Sequence, residues 1–145
     1  MSILKMKTTV ILLTSCVNPN GMSKTALQDV GMRKQQYIEA LRFYLQNTDL
    51  SIVFVENSGA DFRDEFESFI DKGRLEYITF WGNDYDKKFG KGYGEAIIIR
   101  YALDNSEILK KADIVIKITG RLKIDNIGKI IRHRFFLSCH LVQPF

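Results

Sequence analysis

Cysteine and histidine are scarce in this chain of 145 residues, which contains only two of each. Cys16 and Cys139 form neither a CxxC pair nor part of a multi-cysteine framework, which excludes a disulfide-stapled fold. Both lie in apolar, strand-like surroundings, and this predicts reduced, buried thiols in a cytosolic protein. The spacing of His133, Cys139 and His140 matches no standard zinc pattern, so no metal site of that kind is predicted.

A long apolar run is also lacking. The N-terminal segment MSILKMKTTVILLTSC contains an apolar stretch of about six residues, followed by no small-residue cleavage site. A membrane span needs roughly 20 apolar residues. The segment therefore predicts a first β-strand and a cytoplasmic protein, with the inner face of the membrane as a further, peripheral location.

Neither sign of charge dominates the chain, whose formal net charge is +4. This modest excess suits an anionic ligand, a nucleic acid or a membrane surface, and charge alone does not choose among them. The one basic cluster, at Lys129, Arg132 and Arg134, is typical of a solvated face. Hydrophobic residues make up 46% of the chain, which predicts a folded core and excludes wholesale disorder.

Apolar segments of strand and helix type alternate along the chain. Strands are predicted at 8–16, 51–59, 74–80, 113–120 and 135–142. Helices are predicted at 29–46, 61–73, 94–103, after Asn105 or Ser106, and at 127–131. In the first helix the inward stripe is predicted to consist of Met32, Ile38, Leu41 and Leu45. Asp61 is the predicted cap of the second helix, and Gly73 is its predicted stop.

This alternation predicts a single domain over 1–145. Its fold class is α/β and Rossmann-like, with a mostly parallel sheet and helices on both faces. Ligands bind such sheets at the carboxyl ends of the strands. Four loops are therefore candidates for the site, at 14–22, 56–61, 81–95 and 117–125.

Two phosphate or metal motifs are incomplete in these loops. NPNGMSKT at 18–25 contains Lys24 but lacks the glycine spacing of a P-loop, and an ordinary turn is the favoured interpretation. Asp84 and Asp86 form a literal DxD that could supply oxygen ligands to a divalent cation. Because they lie in a glycine-rich loop after the third strand, a solvated loop is favoured over a metal site.

Other loop residues are compatible with ligand binding. Gly92 and Gly94 in KGYGE precede a helix whose N-terminal amides could meet phosphate or sugar hydroxyls; turn glycines are the equal alternative. Glu56 and Asn57 end the second strand, where the carboxylate could accept a hydrogen bond from a base edge. A helix-capping turn is the alternative there.

The fourth strand, DIVIKITGR at 113–121, carries two cations. Lys117 points opposite to Ile116 and Ile118, and an unpaired cation within a covered sheet is costly. Arg121 follows a glycine turn and offers a planar fork suited to phosphate. A ligand role for Lys117 and Arg121 is favoured over a structural salt bridge.

These segments resemble the nucleotide-sugar-binding half of GT-A-type glycosyltransferases, over about residues 8–125. IVFVENSGAD at 52–61 is similar to the second strand of that family and its acidic turn, whose acidic residue contacts the nucleotide base; Glu56 is the matching position. GKGYGEAIIIRYAL at 90–103 resembles the helix before the family's metal strand. KITGR stands where the family normally has DxD, as in some bacterial capsule and O-antigen glycosyltransferase-like proteins.

The resemblance implies a nucleotide-sugar donor, a saccharide or lipid-linked acceptor, and hexosyltransferase chemistry. The donor-binding residues that it implies are Thr14, Ser15, Glu56, Asn57, Lys91, Gly92, Gly94, Glu95, Lys117, Thr119 and Arg121. The family's usual Mg²⁺ or Mn²⁺ lacks its DxD here, so no metal ligands are assigned, and the two β-strand cations are expected to neutralise the diphosphate. No catalytic base is assigned because it normally comes from the acceptor-binding half. That half is expected to be missing from a truncated chain, which would bind donor without turnover.

Two alternatives stay open. A nucleotide-binding or regulatory α/β module without transfer activity fits the same fold. A nucleic-acid-binding domain is disfavoured because the chain lacks an RNA-binding signature, so no nucleic-acid partner is predicted. If the protein ends at Phe145, an exposed apolar sheet edge or a homodimer covering it is expected.

Overall fold

The alternating segments form four strands and five helices in a computed structural model that describes residues 6–19 and 29–133. The strands are β1 (Thr9–Ser15), β2 (Ser51–Glu56), β3 (Leu75–Thr79) and β4 (Ile114–Thr119). The helices are α1 (Val30–Asn47), α2 (Glu67–Asp71), α3 (Gly90–Asn105), α4 (Glu107–Lys110) and α5 (Ile127–Arg132). Short 3₁₀ turns at Arg63–Phe66 and Lys87–Phe89 precede α2 and α3.

The four strands form one all-parallel sheet in the order β3-β2-β1-β4. β1 is central, and its Leu12 lies opposite Val53 on β2 and Lys117 on β4. The chain runs outward from β1 to β3 and then returns to the other side of β1. This reversal creates a topological switch point between β1 and β4, where the strand ends of α/β sheets leave a crevice.

Helices cover both faces of this sheet, as predicted. On the α1 face, the side chains that point from the sheet pack against α1, the turn before α2, and α5; they include Ile11, Leu13, Ile52, Phe54 and Ile118. On the α3 face, the sheet side chains pack against α3 and α4; they include Val10, Leu12, Val53 and Val55. Strand alternation produces these two separate apolar clusters.

Three local predictions need correction. Met32 is 57% exposed because Arg33, only 5% exposed, occupies the inward position at the start of α1. The predicted helix over 61–73 is split, since the Asp61 carboxylate accepts from the backbone N–H (3.1 Å) and Nε (2.9 Å) of Arg63 and a 3₁₀ turn follows. α3 begins at Gly90, ahead of the predicted start at Gly94, because the turn before it continues directly into the helix.

Some of the remaining predictions fall within the described residues and others fall outside them. The four strands up to 120 and the helix at 127–131 are confirmed. The predicted turn containing Lys24, the predicted strand at 135–142, and Arg134, Cys139 and His140 lie outside those residues. Within the part of the chain described, no helix is long and apolar enough to cross a membrane.

Candidate functional site

A cleft of about 160 Å³ opens at the carboxyl ends of β1 and β4. Residues from all four predicted loops contribute to its wall, together with α1 and α3. Eight of the eleven predicted donor-site residues line it: Thr14, Ser15, Asn57, Lys91, Gly94, Glu95, Thr119 and Arg121. The sequence-based prediction therefore located the cleft, although it did not identify every residue of its wall.

The cleft lies where β1 and β4 separate, and a glycine allows their close approach just before that point. The Gly120 N–H donates to the Thr14 carbonyl at 2.8 Å. A Cβ at position 120 would lie 2.7 Å from the same carbonyl oxygen and 3.2 Å from the Tyr37 ring. The glycine of KITGR is therefore required by packing, and it delivers the next residue, Arg121, to the cleft.

The α1 side of the cleft is built around a buried arginine. Arg33 Nε donates to the carbonyls of Cys16 (3.0 Å) and Val17 (3.1 Å), and its Nη2 donates to Cys16 (2.5 Å). The Tyr37 hydroxyl, one turn along α1, accepts from the Cys16 N–H at 3.0 Å. Together these two side chains fix the first residues of the loop that follows β1.

Arg121 completes this side of the cleft. Its Nη1 donates to Gln36 Oε1 at 2.9 Å, and its guanidinium lies 5.9 Å from the centre of the Tyr37 ring. Its Nε is buried and has no hydrogen-bond partner among the described residues. A buried N–H of a cation without an acceptor is costly, so this nitrogen is a candidate donor to a molecule bound in the cleft.

The α3 side of the cleft contains one carboxylate. Glu95 Oε1 accepts from the Thr14 hydroxyl at 2.7 Å and forms an ion pair with Lys117 Nζ. The Lys117 side chain is only 11% exposed and does not reach the cleft wall. The structural salt bridge disfavoured at the sequence level is therefore present, and direct contact of Lys117 with a ligand does not follow from this geometry.

Glu56 also departs from its expected role. It is fully buried and absent from the cleft wall. Its carboxylate accepts from the backbone N–H groups of Val17 (3.0 Å), Ser58 (3.0 Å) and Ala60 (2.8 Å), and from the hydroxyls of Ser58 and Thr79. With these donors already bound, Glu56 joins the loops after β1 and β2 to the end of β3 and has no place for a nucleotide base.

Asn57, the next residue, has the opposite environment. It is 2% exposed, lines the cleft, and its Oδ1 is buried without a hydrogen-bond partner among the described residues. Its backbone is fully used, since its N–H donates to Ser15 (3.2 Å) and its carbonyl accepts from Gly82 (2.8 Å). The backbone of Asn57 is thus held in place at the cleft, and its side chain presents a buried acceptor there.

Gly92 and Gly94, near the start of α3, have different surroundings. Gly94 lines the cleft, and a Cβ there would collide with the Tyr85 hydroxyl, so the glycine lets this ring cover the helix. Gly92 is not in the wall, and nothing lies within 4 Å of the position of its missing Cβ. The predicted ligand contact at Gly92 therefore does not follow from the structure, whereas Lys91 does line the cleft.

Seven residues of the wall were not identified from the sequence: Cys16, Pro19, Arg33, Tyr37, Asn83, Tyr85 and Ile98. The sequence pattern draws attention to the aspartates that follow Asn83 and does not distinguish Asn83 itself. In the structure its Nδ2 donates to the Asn18 carbonyl at 2.5 Å and connects two loops. A charged residue at an inward position of α1 was the available signal for Arg33.

A nucleophilic role for Cys16 is not supported. Burial raises the pKa of its thiol from 9.0 to about 11, although the Arg33 charge acts in the opposite direction. The thiol therefore stays protonated near neutral pH, and a protonated thiol is a poor nucleophile.

The residues of the cleft do not fit a divalent metal. Asp86 caps the turn before α3 by accepting from the Lys88 N–H at 3.0 Å, and neither it nor Asp84 lines the cleft. Across residues 6–19 and 29–133, no group of three or more histidine, cysteine, aspartate or glutamate side chains could hold a metal ion. Asp84 and Asp86 are both exposed, as the solvated-loop interpretation expects, and no chemical step is assigned to a metal.

Comparison of the chain with models of protein families, with curated proteins and with solved structures finds no match. Function is therefore inferred from the cleft itself. Its wall combines three cationic side chains, one carboxylate, a buried unpaired acceptor and a buried unpaired donor.

Proposed function

We propose that the chain binds a nucleotide sugar in this cleft and forms the donor site of a glycosyltransferase. The observation that carries the proposal is a pair of buried polar atoms, Asn57 Oδ1 and Arg121 Nε, in the wall of one cleft at the sheet's switch point. Neither atom has a hydrogen-bond partner within residues 6–19 and 29–133. Native proteins leave few buried polar atoms unpaired. A ligand that supplies both an acceptor and a donor would satisfy both of them.

The charge of the wall favours an anionic ligand. Arg33, Lys91 and Arg121 contribute three cations, against the single carboxylate of Glu95. A guanidinium presents its N–H groups in a plane that matches phosphate oxygens. A diphosphate near Arg121 would accept from the unpaired Nε.

The size of the cleft restricts what it encloses. A cavity of roughly 150 Å³ holds one six-membered ring, and this cleft has a volume of about 160 Å³. We infer that it encloses one ring of the donor together with a neighbouring phosphate. The rest of the ligand would lie across the open side.

Arg121 also has a role in transfer under this proposal. When the bond between the anomeric carbon and the diphosphate oxygen breaks, the electron pair leaves with the diphosphate and its negative charge grows. A fixed cation beside that oxygen stabilises the charge that develops. Lys117 would contribute indirectly, through Glu95, and the proposal needs no metal ligand from the described residues.

The remaining parts of the proposal concern location and acceptor. We place the activity in the cytoplasm, where nucleotide sugars are used, including the inner face of the membrane. The acceptor is a saccharide, free or lipid-linked, and we assign no residue to it. A homodimer also remains part of the proposal, and we assign no residue to its interface.

The proposal is tested by isothermal titration calorimetry with UDP-, GDP- and ADP-linked sugars. We expect at least one to bind, and we expect Arg121→Ala to weaken that binding about 10- to 100-fold, since hydrogen bonds to charged groups contribute about 1.5–3 kcal/mol. Arg100→Ala is the matched control, because Arg100 lies away from the cleft and pairs with Asp104 on the exposed surface of α3. Absence of binding to every donor, or equal binding by Arg121→Ala, would refute the proposal.

A second assay separates a transferase from a binding module. Free nucleoside diphosphate is measured after incubation with the donor that binds best, with and without a mixture of candidate saccharide acceptors. Release that depends on acceptor supports transfer. Tight binding without release would support the alternative, a nucleotide-binding module.

A further inference from the structure

We propose that Glu95 recognises sugar hydroxyls of the bound ligand and that Lys117 is a positioning residue that holds its carboxylate. Glu95 contacts the described residues through one oxygen: Thr14 Oγ1 donates to Oε1 at 2.7 Å, and Lys117 Nζ forms its ion pair there. No hydrogen bond to Oε2 comes from that part of the chain. Glu95 lines the cleft and is 31% exposed, so its second oxygen is available to a ligand.

The support behind this carboxylate comes from the sheet. Lys117 lies on β4 directly opposite Leu12, and its side chain points to the α3 face, away from Ile116 and Ile118 on the other face. Being only 11% exposed, its ammonium group has little access to water or to a ligand. Lys117 therefore fixes the rotamer of a residue on α3 from behind, while Thr14 fixes it from β1.

The chemistry of this arrangement selects the group that binds. A carboxylate oxygen repels phosphate and accepts hydrogen bonds from neutral O–H donors. Arg33 and Arg121 lie on the opposite side of the cleft, with α1. Given a nucleotide sugar in the cleft, on which this assignment rests, its phosphates face the arginines and its hydroxyl-bearing ring faces Glu95.

Two rings of a nucleotide sugar carry suitable hydroxyls, the ribose and the transferred hexose. Both present neighbouring O–H groups, and both match a cleft of about 160 Å³. The shared chemistry is a pair of sugar hydroxyls, and the source is decided by the probes.

The experiment measures affinities of the wild-type protein, Glu95→Gln and Lys117→Met by calorimetry. The probes are UDP, GDP and ADP, their 2′-deoxy and 3′-deoxy analogues, and UDP-glucose, GDP-mannose and ADP-glucose. If ribose is the source, the wild type binds the ribonucleotide at least about tenfold more tightly than a deoxy analogue. If the hexose is the source, the nucleotide sugar binds at least about fivefold more tightly than the free diphosphate.

Whichever affinity ratio the wild type shows, ribonucleotide over deoxy analogue or nucleotide sugar over free diphosphate, is expected to fall below about twofold in Glu95→Gln and in Lys117→Met. Both variants are expected to keep their affinity for the diphosphate part of the ligand. Lys117→Arg, which keeps a cation behind the carboxylate, is expected to restore part of it. A merely structural ion pair would lower stability without changing these ratios, and thermal unfolding of each variant is measured beside them. Retention of the preference in Glu95→Gln, or its absence from a wild type that binds nucleotide, overturns this assignment alone. A wild type that binds no probe overturns the proposed function as well.

Discussion

Glu56 and Asn57 are neighbours at the end of β2, and they lie in regions of opposite character. The strand-end junction is formed by Glu56 with Val17, Ser58, Ala60 and Thr79. Its carboxylate pairs with donors from the loops after β1 and β2 and from the end of β3. The cleft beside it leaves Asn57 Oδ1 and Arg121 Nε buried without partners among the described residues. Both regions are polar and enclosed, and they differ in how completely their hydrogen bonds are made.

That difference separates a structural role from a binding role. A buried carboxylate whose donors are all present stabilises the loops around it and has nothing to offer a ligand. A buried amide or guanidinium that lacks a partner lowers stability until something binds. Residue type alone, acidic or amide, does not distinguish the two cases.

The largest expected effect comes from breaking the junction. Glu56→Ala leaves the N–H groups of Val17, Ser58 and Ala60 without acceptors, and each buried orphan donor costs about 1–3 kcal/mol. We expect the free energy of unfolding to fall by at least about 3 kcal/mol, as measured by urea denaturation.

Asp61→Ala is the matched control for that change, since Asp61 is a nearby carboxylate that pairs with Arg63 on the surface. Its expected cost is below about 1 kcal/mol. Equal costs for the two variants would show that the junction does not hold the loops in the way described.

The next effect concerns the cleft and is expected in affinity. Asn57→Ala removes an unpaired acceptor while keeping the backbone bonds to Ser15 and Gly82. We expect a change in stability of less than about 1 kcal/mol and a roughly tenfold loss of affinity for the nucleotide sugar that binds the wild type, by calorimetry. Asn47→Ala on the exposed end of α1 serves as control. A large loss of stability with unchanged affinity would show that Asn57 has a structural role, like Glu56, and does not bind the ligand.

The sequence predicted the regions better than it predicted the roles within them. Alternating periodicity determines strands and helices, and parallel strands bring their carboxyl ends together, so the four candidate loops and most of the cleft wall could be located. The orientation of Lys117, opposite to Ile116 and Ile118, was also predicted. These features depend on neighbours in sequence or on general rules of α/β sheets.

The remaining features depend on partners that are distant in the chain. Lys117 meets Glu95 on a different element, and Arg33 faces inward because the carbonyls after β1 need its N–H groups. Glu56 and Asn57 differ only in the donors and acceptors that other loops bring to them. Local patterns contain no record of such pairings, which is why Glu56, Gly92 and Lys117 were expected to contact the ligand.

The smallest expected effect is a dependence of stability on alkaline pH, which tests how well the cleft excludes water. Burial raises the pKa of Cys16 from 9.0 to about 11 and raises the pKa of Tyr37 in the same direction. Below pH 9 the thiol is protonated in both states, and its contribution is present in full. From pH 9 to 11 the unfolded chain loses this proton first, so stability falls as the pH rises.

Urea denaturation between pH 7 and 11 measures this fall, which is expected to be smaller in Cys16→Ala than in the wild type. The cost at pH 10 is expected to stay below that of Glu56→Ala at pH 7. An increase in stability between pH 9 and 11 is opposite to the change expected for buried acids. It would contradict the burial of Cys16 and Tyr37 at the cleft.

The most direct test follows individual side chains by NMR while the best-binding nucleotide sugar is added. The account predicts that the Arg121 Nε–H and Asn57 side-chain amide signals shift in a saturable way. The backbone amides of Ser58 and Ala60, already bonded to Glu56, are expected to stay nearly unchanged. Shifts at Ser58 and Ala60 with no response from Arg121 and Asn57 would contradict the claim that the unpaired atoms of the cleft are its ligand contacts.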